Sequence, residues 1–320
     1  MSEAGQVQRL REAFAGAIAE GALDLVDDAA ALPPPPAGAT RVICADQVIE
    51  GRHFVLGDGP AALQAAADAG WRAIVRNVSD VAAMGGRCVG FIWTLAIPRS
   101  WCLRVPARTT VFQQFIEGAA DAARAYDCPL YGGDVASIGE GPMVASVTAF
   151  GDVDGAPLRR SEAQAGDGIF VSRPLGASAA GLSRLLAGER ADELPGPWRQ
   201  AHLRPVPETV LGPALVGRAS ACMDISDGLL LDLNRLCQAS GLAAELQGLD
   251  AIVDPSLGGH PQAAVWAQTG GEDYALLFTG PADLDSMGMR VGTLVPGEGL
   301  FSLQGGERQP LAPEGWDHFD

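Results

Sequence analysis

Carboxylates set in small or glycine-rich sequence recur along this chain, as VDDAA (26–30), ADQVIEGRHF (45–54), NVSD (77–80), YGGDV (131–135), DISDGL (224–229) and GGEDY (270–274). Oxygen donors of this kind suit a hard divalent cation, which takes carboxylate ligands and fills its shell with phosphate oxygens and water. All 22 basic residues are Arg and none is Lys. A P-loop lysine, a kinase strand lysine and a Schiff-base lysine are therefore excluded. The pattern points to an anionic, phosphate-bearing substrate held through metal ions.

Each motif also has a plainer reading. In DISDGL, Asp224 ends an apolar run, Ser226 and Asp227 stand at a helix start, and Gly228 permits close backbone approach. A helix cap alone explains one such polar residue. Two acids and a hydroxyl within four residues exceed what capping needs, because neighbouring carboxylates repel unless protonated or bridged by a cation. In YGGDV, Gly132 and Gly133 can bring amides near a phosphate while Asp134 holds a metal, and the plainer reading is a turn. Asn77, Ser79 and Asp80 fit a helix-to-loop passage, and His53 near Asp46 and Glu50 fits a packed residue as well as a site. GGEDY offers Glu272, Asp273 and Tyr274, or simply a turn feeding a strand.

The elements that must position these groups follow from periodicity and breakers. Residues 1–24 read as an amphipathic helix, and the prolines at 33–36 then force an exposed connection. Arg41–Ala45 reads as a strand ending at Asp46, residues 61–75 as a helix, and Phe91–Ile97 as a strand stopped by Pro98. Residues 107–126 are helical by spacing, with strands at 129–131 and 143–150 flanking GGDV. A turn-rich stretch at 151–162 divides the chain into domains 1–155 and 156–320. Beyond it lie a strand at 168–172, helices at 177–186 and 227–239, the latter closed by Gly241, and a strand at 274–278. The mixture is α+β in both halves.

Bulk composition narrows the class. The chain has 320 residues, 48% hydrophobic content and a formal net charge of −17. That charge disfavours nucleic acid and anionic membranes as partners. The six cysteines are scattered without a CxxC pair, so neither zinc nor a disulfide framework is expected. No signal-peptide core or membrane-length apolar run is present, and a cytoplasmic location is expected.

Taken in order, the six motifs resemble the thiamine-monophosphate kinases, within the superfamily that includes aminoimidazole ribonucleotide synthetase and selenophosphate synthetase. The resemblance extends from Val26 to Phe319 and includes RSEAQAGD (160–167), SAAGL (178–182), HLRPVP (202–207) and GWDHF (315–319). It implies ATP-dependent phosphorylation of thiamine monophosphate to thiamine diphosphate with several Mg²⁺ ions. It implies an N-terminal mixed sheet with helices that forms a homodimer through the sheet, followed by a C-terminal α+β sandwich domain completing the site. By motif position, Asp28, Asp46, Asp80, Asp134, Asp224 and Asp227 would be metal ligands. Gly133, Arg160 and Ser226 would contact ATP, while His53, Glu272 and Trp316 would line the thiamine phosphate pocket. No side chain is assigned as acid or base, because the acceptor is itself a phosphate with a second pKa of roughly 6.

The chain departs from the family pattern at Val26, Cys44, Ala45, Val135 and Ala136, which stand where glycine or hydroxyl residues are usual. Arg173 interrupts a small-residue turn, and Glu208 stands where Arg often follows HLRPxP. Two alternatives remain. One is a sibling enzyme with another acceptor, although the lysine and early cysteine of selenophosphate synthetase and the cysteine tail of the hydrogenase-maturation enzymes are missing. The other is a nucleotide-binding homologue that has lost catalysis.

Overall fold

The computed structural model describes residues 3–25, 29–57, 60–102, 110–304 and 307–316, which form two compact units, one of residues 1–81 and 86–153 and one of 82–85 and 154–320. Each is built from one sheet and its helices, giving a mixed α+β fold throughout.

In the first unit α1 (Glu3–Ala13) is shorter than the expected helix over 1–24. The chain turns at Gly16, whose φ of 77° lies in the left-handed region, and residues 20–25 form a separate 3₁₀ turn. The strands are β1 (Ala39–Ile49), β2 (Arg87–Pro98), β3 (Leu130–Gly139) and β4 (Val144–Asp154), in the order β1-β4-β2-β3. β2 runs parallel to β3 and antiparallel to β4. Alternation along β4 and the middle of β2 gives the sheet one buried face. Phe91, Trp93, Leu95 and Ile97 of β2 are buried, whereas Ile92 and Thr94 between them are exposed.

The buried face packs on α2 (Pro60–Ala83) and α3 (Val111–Ala125). These two helices meet through small residues. A Cβ on Gly70 would lie 2.0 Å from the carbonyl of Phe115, and one on Gly118 would lie 1.9 Å from that of Ala67. Phe14, Phe91 and Trp93 meet edge-on or tilted at 5.4–6.0 Å, which adds directional packing to simple burial. Thr110 caps α3 by accepting the Gln113 amide.

The second unit holds a seven-stranded sheet in the order β11-β10-β7-β9-β5-β8-β6. Its strands are β5 (Gly168–Val171), β6 (Ala221–Asp224), β7 (Leu242–Leu246), β8 (Leu276–Gly280), β9 (Met289–Pro296), β10 (Leu300–Gln304) and β11 (Glu307–Leu311). The helices are α4 (Ala177–Leu186), α5 (Gly196–Leu203), α6 (Leu211–Leu215), α7 (Leu229–Ser240) and α8 (Ala263–Thr269). Leu229, Leu230, Leu233 and Leu236 form the buried stripe of α7, as their spacing predicts, and Gly241 closes the helix.

Two expectations need correction. NVSD is not a passage out of a helix, because α2 continues to Ala83 and Asp80 lies inside its last turn. YGGDV is not a turn between strands, because β3 runs through it. Gly133 is tolerated there because its missing Cβ leaves room for the carbonyl of Trp93, which a Cβ would meet at 2.0 Å. The cysteines also behave differently from their sequence spacing. Cys88 and Cys128 form a disulfide with Cα atoms 5.4 Å apart, since the segment that leads into β3 runs beside the start of β2, ahead of the Phe91–Leu130 pair.

Candidate functional site

In the second unit, main-chain hydrogen bonds tie three distant motifs into one surface. The Glu272 amide donates to the Ser226 carbonyl at 2.8 Å, and the Tyr274 amide to that of Ile225 at 2.9 Å. The Trp316 amide donates to the Asp227 carbonyl, also at 2.8 Å. DISDGL, GGEDY and the C-terminal GW therefore converge, bringing Asp224, Ser226, Asp227, Glu272 and Trp316 together. The approach is close enough to require glycine. A Cβ on Gly228, whose φ is 120°, would stand 2.6 Å from the Thr269 carbonyl, and one on Gly271 would stand 2.6 Å from that of Ser226.

Within this surface Asp224 is buried at the end of β6, and Trp316 leaves 47% of its area to solvent. Asp227 is held by Arg235 at 2.5 Å, and the same guanidinium reaches Asp232 at 2.7 Å. The other Asp232 oxygen accepts the amides of Ser226 and Asp227 at 3.0 and 2.9 Å. Burial pushes the Asp232 carboxyl up to about 6, against the opposing pull of the Asp227 amide. Asp232 and Arg235 escaped the sequence reading. Their only signal is a D-x₂-R spacing on the exit helix of DISDGL, which is indistinguishable from an ordinary surface pair.

Arg160 is not drawn into this group. Its carbonyl accepts from Ser240 at 2.7 Å, beside the C-terminal end of α7. Ser226 precedes the other end of that 12-residue helix, roughly 18 Å away along its axis.

The first unit arranges its acids differently. Asp134 pairs in register with Thr94, which pairs with Ser146, so all three share the open face of the sheet. They line a hollow of about 520 Å³ with Tyr131, Gly133 and Thr148. Ala29 and Ala30 line the same hollow, directly after Asp28, which lies outside the described residues. Asp46 lies on the helix face instead, 3.6 Å from Arg76 of α2, while Gln47 beside it donates to Ser146 on the open face at 3.0 Å. β1 and β3 are opposite edges of the sheet, so Asp46 and Asp134 are separated by three strand spacings, roughly 14 Å, and by the sheet itself. Asp80 lies one helical turn beyond Arg76, on the Asp46 side.

His53 is fixed at both ends. Its Nδ1 accepts the Ile49 amide at 3.0 Å and its carbonyl accepts from Arg72 at 2.8 Å. In the neutral ring this leaves the proton on Nε2, as a donor. Glu50 accepts from the Trp101 indole and the Met143 amide, each at 3.0 Å, and so has a structural role.

The donors fit magnesium in kind, being carboxylates and hydroxyls. Among the described residues, no three His, Cys, Asp or Glu side chains gather into a metal cage. That arrangement still suits Mg²⁺, which is ordinarily held by one or two carboxylates together with substrate phosphates and water. Two of the family departures face one another. Arg173 and Glu208 form an ion pair at 2.8 Å, so the reversed charge at 208 is compensated within the unit.

Residues 26–153 match the model of the AIR synthase related protein, N-terminal domain. The chain is 33% identical to the thiamine-monophosphate kinase of Salmonella typhimurium over 320 residues, covering 92% of this chain and 91% of that one. It superposes on the crystal structure of thiamine-monophosphate kinase from Stenotrophomonas maltophilia with a TM-score of 0.77 and 32% identity, covering 94% and 96% of the two chains. A structure described as AaThiL complexed with AMPPCP and TMP gives a TM-score of 0.74 at 29% identity, covering 99% and 97%. This chain belongs to the thiamine-monophosphate kinase family.

Proposed function

We propose that the protein transfers the γ-phosphoryl group of ATP directly to the phosphate of thiamine monophosphate, yielding thiamine diphosphate and ADP. The observation that carries this reading is the main-chain stitching of DISDGL, GGEDY and GW, which gathers carboxylates, a hydroxyl and an exposed indole on one surface. Those groups match the acceptor. A thiazolium cation suits the face of Trp316, worth about 1 kcal/mol or more where desolvated, and Glu272 supplies a compensating negative charge.

The nucleotide is assigned to Gly133, Ser226 and Arg160. Gly133 and the hydroxyls beside Asp134 offer a surface without bulk, and Arg160 is exposed and able to reach an anion. Asp28, Asp46, Asp80, Asp134, Asp224 and Asp227 would each supply one or two oxygens to magnesium. When bound, magnesium neutralises phosphate charge and aligns donor with acceptor. The remaining work falls to the protein. His53 donates from Nε2, Arg235 holds the Asp227 carboxylate in place, and no general base is required because the attacking phosphate oxygen is already ionised.

The open face of the first sheet exposes Ile43, Ile92 and Ile138 at 65%, 39% and 42%. A second copy packed against these isoleucines would give the homodimer. Among the described residues no helix is long and apolar enough to cross a membrane, and we place the enzyme in the cytoplasm. The decisive assay supplies ATP, Mg²⁺ and thiamine monophosphate and follows thiamine diphosphate by chromatography. Consumption of ATP only with another acceptor would assign the protein to a sibling activity, and nucleotide binding without turnover would make it a degenerate homologue.

A further inference from the structure

The GGEDY turn is conformationally expensive. Glu272 and Tyr274 both sit at positive φ, 62° and 51°, where neither has glycine's freedom. Such geometry persists only when its surroundings over-determine it. The peptide plane joining Asp273 to Tyr274 is pinned at both edges. Its N–H donates to the Ile225 carbonyl at 2.9 Å, and its C=O accepts from the Arg173 guanidinium at 2.6 Å. A flip of this plane would release Tyr274 from the left-handed region, and it would have to break both bonds.

The guanidinium is itself held. Arg173 meets Glu208 at 2.8 Å, and the same Glu208 oxygen accepts the Ser172 hydroxyl at 3.0 Å. Ser172 Oγ in turn accepts the Leu276 amide at 2.9 Å, which ties the assembly to the first residue of β8. On the other side of the turn, the Asp273 carboxyl accepts the Gly176 amide at 3.1 Å. Arg173 is 29% exposed and already charge-paired, so it acts on the turn and not as a free cation for phosphate.

We propose that Arg173, oriented by Glu208, is a positioning residue that locks the Asp273–Tyr274 peptide and thereby aims the Glu272 side chain at the thiamine moiety of the acceptor. The inference rests on the assignment of Glu272 to the acceptor pocket, and its test separates the two. Three variants, Arg173→Ala, Arg173→Lys and Glu208→Gln, are compared with Glu272→Gln in steady-state kinetics and in hydrogen exchange of the peptide spanning 270–276.

Arg173→Ala should raise the KM for thiamine monophosphate about tenfold, leave the KM for ATP within about twofold, and speed exchange at residues 272–274. Arg173→Lys, which can still donate to both partners, should recover part of the loss. Glu208→Gln should raise the same KM about threefold. Unchanged exchange in Arg173→Ala overturns the lock. Faster exchange with an unchanged KM, while Glu272→Gln raises it, overturns the functional link. An unchanged KM in Glu272→Gln overturns the assignment of Glu272, a failure that leaves the exchange result to judge the lock by itself.

Discussion

The two units position their acids by opposite means. In the second unit the backbone does it. Three motifs that lie far apart in sequence are joined by amide–carbonyl bonds of 2.8–2.9 Å, and the side chains follow. In the first unit the sheet does it. Asp46 and Asp134 take their positions from strand order and alternation, and end on opposite edges and opposite faces. Backbone stitching gives a convergent surface within one unit. Sheet placement gives single acids that stand apart from one another.

The largest expected effect tests whether either set of acids works through a divalent cation. Removing divalent ions with EDTA should reduce thiamine diphosphate formation below detection, and excess Mg²⁺ should restore it. Full activity in EDTA would break the comparison, since the acids of neither unit would then need a metal.

Single carboxylates come next. Asp227→Asn and Asp134→Asn should each lower kcat by on the order of 10²–10³. Their stabilities should differ. Asp227 is paired with Arg235 at 2.5 Å, and its loss leaves that guanidinium with Asp232 alone, so the melting temperature should drop by several degrees. Asp134 is exposed on the open face and its variant should melt like the parent. Equal melting shifts would show that the second unit is no more tightly coupled than the first.

Glycine substitutions sharpen the contrast at smaller amplitude. Gly228→Ala places a Cβ 2.6 Å from a backbone carbonyl at a φ of 120° and should cost about 2 kcal/mol or more. Gly132→Ala meets nothing within 4 Å and should change stability by less than about 0.5 kcal/mol. Chemical denaturation of the two variants measures the difference directly.

Much of this arrangement was legible in the sequence, for identifiable reasons. The leucine stripe of α7, its closing Gly241 and the helix at 177–186 are local patterns, and local patterns survive folding. The α+β character followed from the alternation of such segments. YGGDV and NVSD were misread as turn and loop because glycine and Asn/Ser/Asp clusters are breakers by propensity. Pairing of β3 with β2 and burial of Asn77 and Ser79 against the core overrode that propensity. The sequence named Asp227 but not its Arg235 and Asp232 partners, since a salt bridge on an exit helix carries no signal beyond spacing. Arg173 and Glu208 looked like two unrelated departures, 35 positions apart, until folding put them in contact. The Cys88–Cys128 pair has the same origin, a contact between the start of β2 and the segment leading into β3 that sequence distance hides.

The smallest expected effect concerns buried acids, and its sign is fixed by the direction of their shifts. Burial pushes the Asp273 carboxyl up to about 7, opposed by the Gly176 and Ser178 amides and the charge of Arg173, and reinforced by Asp254. Asp232 is raised to about 6 for the same leading reason. A carboxyl with a raised folded value keeps its proton while the unfolded chain releases it, so stability falls as pH rises. For Asp232 the fall begins near pH 4 and ends near 6, and for Asp273 it continues to about 7. Above that range neither group contributes further slope. Melting temperature should therefore decline by about 3–5 °C between pH 5 and 7.5 through these groups. Asp273→Asn, which keeps the shape and loses the titration, should flatten the upper part of that decline. A variant with the parent's full slope would show that Asp273 is ionised throughout. The α4 N-terminus and Arg173 would then hold its charge against burial, making the GGEDY turn electrostatically as well as sterically fixed.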